Sequence, residues 1–456
     1  KSVKVKLFKG TLLIWMDPVV RLWRKLSKFW RRFLTSFVIG LTIAAFLHIA
    51  HHTSWVVEAE NWAMDSMMAV NQSLPRMTSS KSNVDFAYID IDENTYREWD
   101  EPYHLPRKKL TKLIEFASEG GARAIVLDVD LSKASNEDDE LLSFLKEYKK
   151  ENPPLFLIKV FYPPSEMTDG DSNMIRPSFL DKTTLGPQII WVQSSFRRDL
   201  YDGVVRYWDL LRFGCADGKP MVVPSVQLMV DAHLFSSTVV ESLLKKLSLF
   251  NPENCSDINK HIERFSGELL YGDRKISLVR DRIGERIIYT MPWQQTMVPG
   301  LVTIPARRIS DTTQKLSNDL VKGRVVVIGA SYRDSRDIYN TPLGEMPGAM
   351  VITNAIRSLH DFGQIKAPKT EIKWLIELGL ILMISWAFTR FLSLLGTVVS
   401  GAIIVIILVP VSFYFFKFGL WVDFAVPLIG ILFHQLIAKY EESVVMKNKL
   451  KNLQST

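Results

Sequence analysis

Hydrophobic and polar positions divide the chain into apolar segments near both ends and an alternating region between them. Phe33–Ala50 is a run of 18 residues without a charge, and Trp374–Ala438 is almost entirely hydrophobic. Runs of about 20 apolar residues are typical of membrane-spanning helices. The pattern therefore predicts an integral membrane protein.

The second apolar block divides into three predicted spans at its few basic residues. Together with residues 33–50 they give four crossings, and we assign residues 371–438 to transmembrane helices 2–4 and residues 439–456 to a cytoplasmic helical tail. The three segments in this block are Trp374–Phe388, Leu392–Phe416 and Val422–Ala438.

Charge sets the predicted orientation. Residues 1–32 contain ten Lys and Arg against one Asp, a local net charge of +9, whereas the whole chain carries +7. A basic block beside an apolar span favours the cytoplasmic side of a membrane over a nucleic-acid site. Its apolar residues recur every three or four positions, which predicts an amphipathic segment on the inner leaflet; a disordered basic tail is the alternative. We interpret the first span as an uncleaved signal anchor.

Residues 51–370 are predicted to form one extracytoplasmic domain with a mostly parallel sheet and an antiparallel insertion. Phe86–Ile91, Ala124–Asp130 and Val325–Ser331 are strand-like, and an amphipathic helix is predicted over Pro106–Glu119. Such alternation of strands and helices is typical of an α/β fold. Asp202-Gly203 indicates a hairpin within the insertion.

Acidic residues crowd the end of the first strand, in FAYIDIDENTYREW. Counting from Asp90, oxygen donors recur at the ligand positions of an EF-hand loop. Thr95 occupies the position that requires glycine, however, and flanking helices are not predicted. The stretch is therefore either a capped strand end or part of a larger site.

Five stretches in order resemble the second type of CHASE domain, a sensory extracellular domain of bacteria associated with cyclases and histidine kinases. They are NWAMDSMM with Asp65, FAYIDIDENTYRE, LPRKKLTKLIEFASEGGARAIVLDVDLS, LYDGVVRYWDLLRF with PSVQLMVDA, and KGRVVVIGASYRDSRDIYNTPLGEMPGAMVITNAIRSL. The resemblance covers about residues 33–438. It implies a sensory or interaction ectodomain followed by three transmembrane helices, and leaves the output open.

Carboxylates follow three of the predicted strands and form the candidate ligand site. In an open parallel sheet, ligands bind outside the carboxyl ends of the strands. The alternative is that these residues cap turns and helices without binding anything. The candidate ligand-binding residues are Asp90, Asp92, Asp128, Asp130, Arg336 and Asp337, with Arg336 as the expected counter-charge.

Other polar residues give weaker expectations. Cys215 and Cys255 lie in the predicted ectodomain, where oxidation is permitted, so they are a candidate disulfide; two separate thiols are the alternative. Glu377 lies within a predicted span, where it indicates helix pairing or a proton path, unless Lys373 pairs with it near the surface. No catalytic set, cofactor site or metal site is predicted.

The function expected from these patterns is a bacterial membrane sensor whose ectodomain binds a ligand or partner and signals to a cytoplasmic output. The alternative is a structural docking subunit of a cell-envelope assembly. We expect a multi-pass protein of the inner membrane with a large periplasmic domain and both termini in the cytoplasm. Expected partners are membrane phospholipids and a protein partner or second copy, and not nucleic acid.

Overall fold

The computed structural model of the protein describes residues 23, 25–73, 84–162, 174–264, 267–279, 281–293, 298–310, 316–391, 393–416 and 418–454. The amphipathic segment predicted over residues 1–32 lies largely outside these ranges. The chain divides into two compact units, one comprising Lys1–Met64 with Ala367–Thr456 and the other Asp65–Lys366. We call them the helical unit and the α/β unit.

Helices and strands alternate through the α/β unit, whereas the helical unit contains helices. The helices are α1 Lys28–Ile49, α2 Ser54–Ser73, α3 Glu93–Glu98, α4 Arg107–Glu119, α5 Asp138–Lys146, α6 Val226–Phe235, α7 Ser237–Ser248, α8 Ile258–Arg264, α9 Arg307–Ser310, α10 Gly348–Phe362, α11 Thr370–Arg390, α12 Ser393–Ile403, α13 Val409–Phe416 and α14 Ala425–Gln454. The strands are β1 Phe86–Ile91, β2 Ala124–Leu127, β3 Leu155–Ile158, β4 Ile189–Val192, β5 Phe196–Arg198, β6 Val205–Trp208, β7 Leu211–Ala216, β8 Lys219–Pro224, β9 Glu268–Tyr271, β10 Arg274–Ser277, β11 Leu301–Pro305, β12 Val325–Ala330, β13 Ile338–Thr341 and β14 Gly344–Pro347.

Among the described residues, three helices are long and apolar enough to cross a membrane. They are Lys28–His52, Thr370–Arg390 and Ser393–Phe416, the last continuous through a π-helical turn. Within the helical unit α1 packs against α11, and a Cβ at Gly40 would lie 2.9 Å from the Ile381 side chain. Glycine at this position therefore permits close helix packing.

The fourth predicted span, Val422–Ala438, does not form a helix of that kind. Residues 418–424 precede the helix, and α14 begins at Ala425. The first 18 residues of α14, from Ala425 to Glu442, already include the charged residues Lys439, Glu441 and Glu442. The apolar part of α14 is thus shorter than the roughly 20 residues that a straight crossing requires.

A six-stranded parallel sheet forms the centre of the α/β unit. Its strand order is β11-β1-β12-β2-β3-β4, and every pair in it is parallel. All six residues of β1 and of β12 are buried, as expected for Val/Ile/Leu-rich strands covered on both faces. The predicted mostly parallel α/β fold is confirmed.

Helices cover the two faces of this sheet differently. The connections from β1 to β2, from β2 to β3 and from β11 to β12 all step in the same direction along the sheet. One face packs in a hydrophobic cluster that includes residues of α4 and α5. The opposite face of β1 and β12 packs against α10. We call this opposite face the α10 face.

Four antiparallel hairpins supply the predicted insertion and its neighbours: β5–β6, β7–β8, β9–β10 and β13–β14. The Asp202-Gly203 turn lies in the first of them, and Gly203 has φ +71°, a left-handed conformation that glycine adopts without strain. The hairpin predicted from that dipeptide is therefore confirmed.

Topology can be tested by labelling cysteines in intact cells. Leu200 is 98% exposed in the α/β unit, and Leu450, in the tail of α14, is 53% exposed. Four crossings place them on opposite sides of the membrane, so a membrane-impermeant maleimide should label Leu200→Cys and not Leu450→Cys. Labelling of both in sealed cells would indicate three crossings, and permeabilised cells provide the control for reactivity.

Candidate functional site

Two aspartates lie side by side on the α10 face at the carboxyl end of the sheet. Asp90 is opposite Gly329 in the register of β1 and β12, and Asp128 directly follows β2 on the other side of β12. Alternate strand residues point to opposite faces. Because Ala87 and Ile89 of β1 belong to the opposite hydrophobic cluster, Tyr88 and Asp90 face α10.

Glycines allow α10 to approach this part of the sheet. A Cβ at Gly329 would lie 2.5 Å from the Cβ of Ala349 and 3.5 Å from that of Asp128. A Cβ at Gly348, the first residue of α10, would lie 2.4 Å from a carboxylate oxygen of Asp337. The start of α10 therefore rests on β12 and holds Asp337 beside the strand ends.

We call Asp90, Asp128 and Asp337 the carboxylate cluster. Tyr88 joins them: burial raises the pKa of its hydroxyl well above the usual value, and the charges of all three carboxylates raise it further. The Tyr88 hydroxyl donates to Asp90 Oδ1 at 2.9 Å. The sequence-predicted residues Asp90, Asp128 and Asp337 are thus brought together around a buried tyrosine.

Hydrogen bonding differs among the three carboxylates. Asp90 accepts from Tyr88 and from Ser331, and the Asp337 carboxylate accepts from Tyr339. The Gly348 N–H, beside Asp337, donates to the main-chain carbonyl of Asp337 at 2.9 Å. Among the described residues, no hydrogen-bond donor reaches the Asp128 carboxylate. Asp128 is therefore the member least able to carry a negative charge.

The pKa values of the cluster are raised. Burial raises the pKa of Asp90 to about 6 and that of Asp337 to about 6, although their hydrogen bonds oppose the shift. Burial, followed by the charge of Asp337, raises the pKa of Asp128 well above its usual value. Within the described part of the chain, no Lys or Arg forms an ion pair with these three carboxylates. Burial therefore favours the protonated form of these carboxyl groups, and the charge of Asp337 adds to this effect at Asp128.

Asp92 does not join the cluster, because it caps a helix. Its Oδ1 accepts from the backbone N–H of Thr95 at 2.7 Å and from the Thr95 hydroxyl at 2.6 Å, at the start of α3. The capping interpretation is correct for this residue. An EF-hand loop is excluded, since its second ligand is occupied by the cap.

Asp130 and Arg336 also lie apart from the cluster in their contacts. Asp130 accepts from the backbone N–H of Ser132 at 2.8 Å and faces Arg176 at 3.4 Å. Arg336 adopts a left-handed conformation, φ 53°, after a short 3₁₀ turn. Among the described contacts Arg336 forms no ion pair with these carboxylates, so its expected role as counter-charge stays a prediction.

A second polar assembly holds the part of α2 that belongs to the α/β unit, which begins at Asp65. The Asp65 carboxylate accepts from Arg206 Nε at 3.0 Å and Nη2 at 2.8 Å, and its other oxygen accepts from Arg286. Arg206 and Arg286 are 4% and 1% exposed. Arg206 also binds Asp202 in the β5–β6 turn. We call Asp65, Arg206 and Arg286 the α2 ion cluster.

The side chains of Cys215, Cys255 and Glu377, the last in a candidate membrane span, each have a partner. A disulfide joins Cys215 of β7 to Cys255, with the Cα atoms 5.7 Å apart. Glu377 is 4.0 Å from Lys373, and its side chain is 32% exposed. That contact fits the surface pairing given above as the alternative to a proton path.

Sequence reasoning missed several polar residues. Tyr88 and Tyr339 are the hydroxyls of the carboxylate cluster, and alternation with Asp90 and Asp337 along their strands was the available signal. Within the helical unit, His434 is 2% exposed and its Nε2 lies 2.9 Å from Ser36 Oγ. A histidine inside an apolar run indicates such pairing.

The fold and site together define a membrane protein whose α/β unit lies in sequence between apolar helices. A family model described as CHASE2 domain matches residues 38–395, more than half of the chain. The protein belongs to the CHASE2 family, a family of sensory extracellular domains. Comparison with curated proteins and with solved structures found no match.

The stability of the α/β unit should fall as pH rises from about 4 to above 6. Acids with a raised pKa in the folded state bind more protons there than in the unfolded chain, so their stabilisation is present at low pH and is lost through the folded pKa. For Asp90, whose pKa is about 6, the penalty at pH 7.5 is about 3 kcal/mol. Asp90→Asn should therefore raise the unfolding temperature of the full chain in detergent at pH 7.5 and leave it unchanged at pH 4.

Asp92→Ala is the matched control and should cost about 1 kcal/mol through loss of the cap. Destabilisation by Asp90→Asn at pH 7.5 would contradict the burial argument.

Removing Asp65 should be far more costly than removing an exposed partner of the same arginine. Asp65→Ala leaves two buried guanidiniums without their shared carboxylate, which should cost about 3–5 kcal/mol. Asp202, whose side chain is 47% exposed, should contribute at most about 1 kcal/mol. Pulse proteolysis of the full chain in urea measures both. Equal costs for the two variants would show that Asp65 is not the principal anion of this assembly.

Proposed function

We propose that this protein is a membrane-anchored sensory receptor. The α/β unit, held outside the cytoplasm of a bacterial inner membrane, responds to a ligand or partner at the carboxylate cluster and passes the change through the membrane helices. In this proposal both termini lie in the cytoplasm, and the chain has no enzymatic activity of its own. Its binding partner is another protein or a second copy of this chain.

The carboxylate cluster is the observation that carries this proposal. Asp90 and Asp128 lie at the carboxyl ends of β1 and β2, on either side of β12, where α/β sheets bind ligands, and Asp337 is held beside them by the start of α10. Among the described residues, no Lys or Arg forms an ion pair with these three carboxyl groups. Such a site favours a cationic ligand group or protons, because either offsets the burial of the three carboxylates and the repulsion between Asp128 and Asp337. Membership of a sensory domain family supports the same reading.

A docking role in an envelope assembly is the second candidate, and one feature favours it. Leu200 and Tyr201, at the tip of the β5–β6 hairpin, are 98% and 61% exposed. The turn is held by hydrogen bonds from Tyr201 N–H to Asp199 Oδ1 and from Val204 N–H to Asp202 Oδ1. An exposed apolar tip on a rigid turn is typical of a contact made with a partner.

The receptor and docking roles differ in whether the tail changes. Asp128→Asn imitates the protonated carboxyl at constant pH, so a receptor in proteoliposomes should change the maleimide reaction rate of Met446→Cys in α14, where Met446 is 63% exposed. Asp130→Asn, at the same edge of the sheet, should leave the rate unchanged. A step from pH 7.5 to pH 5.5 on the α/β side alone should act like Asp128→Asn.

An unchanged rate under both the substitution and the pH step would exclude signalling from this site. Loss of an in vivo crosslink after Leu200→Asp, with an unchanged tail, would then favour the docking role.

A further inference from the structure

We propose that α10 couples the carboxylate cluster to α2 through the segment Glu285–Met291, which makes this segment the transmission element of the α/β unit. The inference rests on the proposed function, because it names how a change at that site leaves the domain. It is carried by a continuous set of buried hydrogen bonds between the two helices.

The first link is between the cluster and α10. Gly348 and Ala349 begin this helix, and Ala349 lies against β12 at Gly329. The Gly348 N–H donates to the main-chain carbonyl of Asp337 at 2.9 Å, and the Gly348 backbone lies so close to the Asp337 carboxylate that a Cβ there would overlap it. A change in charge or occupancy of the cluster therefore acts on the first turn of α10. Of the 15 residues of α10, 11 are buried, so the helix responds as a packed element rather than by fraying.

The second link is between α10 and the segment. Asn354, fully buried, accepts from the backbone N–H groups of Thr290 and Met291 at 2.9 Å each and donates to the carbonyl of Met291 at 2.9 Å. One turn later, Ser358 Oγ accepts from the N–H of Ile288 at 2.9 Å. These side chains bind main-chain groups that would otherwise be buried without partners, so the segment follows α10 when the helix shifts.

The third link is between the segment and α2. Arg286 binds Asp65, and the carbonyl of Thr290 accepts from Gln72 Nε2 at 2.8 Å. The two contacts lie two turns apart on α2 and fix both its rotation and its height against the segment. Arg206, which shares Asp65, is tied to the segment as well, because its carbonyl accepts from the Ile287 N–H at 2.8 Å.

The order of the helices along the chain and the ion pairs of Asp65 determine which part of the structure moves with the segment. Helix α2 runs without interruption from Ser54 to Ser73, and α1 precedes it along the chain. A displacement of the segment must therefore either move the α2 residues after Asp65 or break the ion pairs of two buried arginines. Breaking those pairs costs several kcal/mol, so movement of the helix is favoured.

The test perturbs one end and reads the other in the full chain in nanodiscs at constant pH. Gly329→Ala inserts a methyl group against Ala349, and Asp337→Asn provides a milder perturbation at the same place. Either variant should change the hydrogen-exchange rates of α2 amides 66–73 about tenfold, within the usual range of coupling between sites. Exchange at the first turn of α10 reports that the perturbation has arrived.

The coupling is measured by repeating the perturbation in chains with the link removed. In an Asn354→Leu or Ser358→Ala background, the effect of Gly329→Ala on α2 should fall to less than twofold. Thr353→Val is the matched control. Thr353 is buried on the same helix, and among the described contacts its hydroxyl bonds only the Ala349 carbonyl, at 2.7 Å, so the tenfold effect should persist. An undiminished effect in both link variants would overturn the proposal.

The effects of the variants on α10 and α2 distinguish a wrong transmission path from a wrong sensory site. If Gly329→Ala alters the start of α10 and leaves α2 unchanged, the transmission path is wrong while the sensory site stands. If Gly329→Ala alters α2 and Asp128→Asn does not alter α10, the path stands and the carboxylate cluster is not its input.

Discussion

Close contact between α10 and β12 at Gly329 is the constraint on which the rest of the α/β unit depends. Any side chain at this position would push the helix away from the sheet. The contact places the first turn of α10 over the strand ends and brings Asp337 to Asp128. It also sets the height of Asn354 and Ser358 farther along the helix, and therefore where the segment Glu285–Met291 is held.

Two polar assemblies with opposite electrostatic character result. The carboxylate cluster collects buried carboxyl groups that pair with no Lys or Arg in the described part of the chain, and protons or an incoming positive group would stabilise it. In the α2 ion cluster, Asp65 pairs with two buried arginines, and Asp199 and Asp202 also pair with Arg206. The first is poised to respond to its surroundings, and the second is suited to hold a helix in one register.

Much of the fold could be predicted because it depends on local patterns. Solid apolar runs gave β1, β2 and β12, the spacing of apolar residues gave α4, and Asp202-Gly203 gave a hairpin. The site was predictable only in part. Asp90, Asp92, Asp128 and Asp130 look alike in sequence, yet strand alternation and the position of α10 gather Asp90 and Asp128, whereas Asp92 and Asp130 are occupied by local hydrogen bonds.

Features that depend on distant pairing could not be read from the chain. No local pattern around Asp65, Arg206 or Arg286 indicates that these residues meet. Asp65 and Arg206 are separated by 141 positions in the sequence. Arg336 adjoins Asp337 in sequence, which made it the natural counter-charge, but it adopts a left-handed conformation and forms no ion pair with Asp337 among the described contacts. The fourth span was overestimated because hydropathy was counted through residues 422–424, which precede the start of α14.

Because of the disulfide between Cys215 and Cys255, completion of folding depends on whether the cellular compartment is oxidising. It closes a loop with a sequence separation of 40 that contains β8, α6 and α7, and α6 packs against α10. In the chain-entropy view, closing such a loop stabilises the fold by about 4 kcal/mol. While the thiols are reduced, the layer that supports α10 is only loosely held. The domain would thus complete its maturation only where thiols are oxidised, and a chain retained on the reducing side of the membrane would remain an immature substrate for proteases.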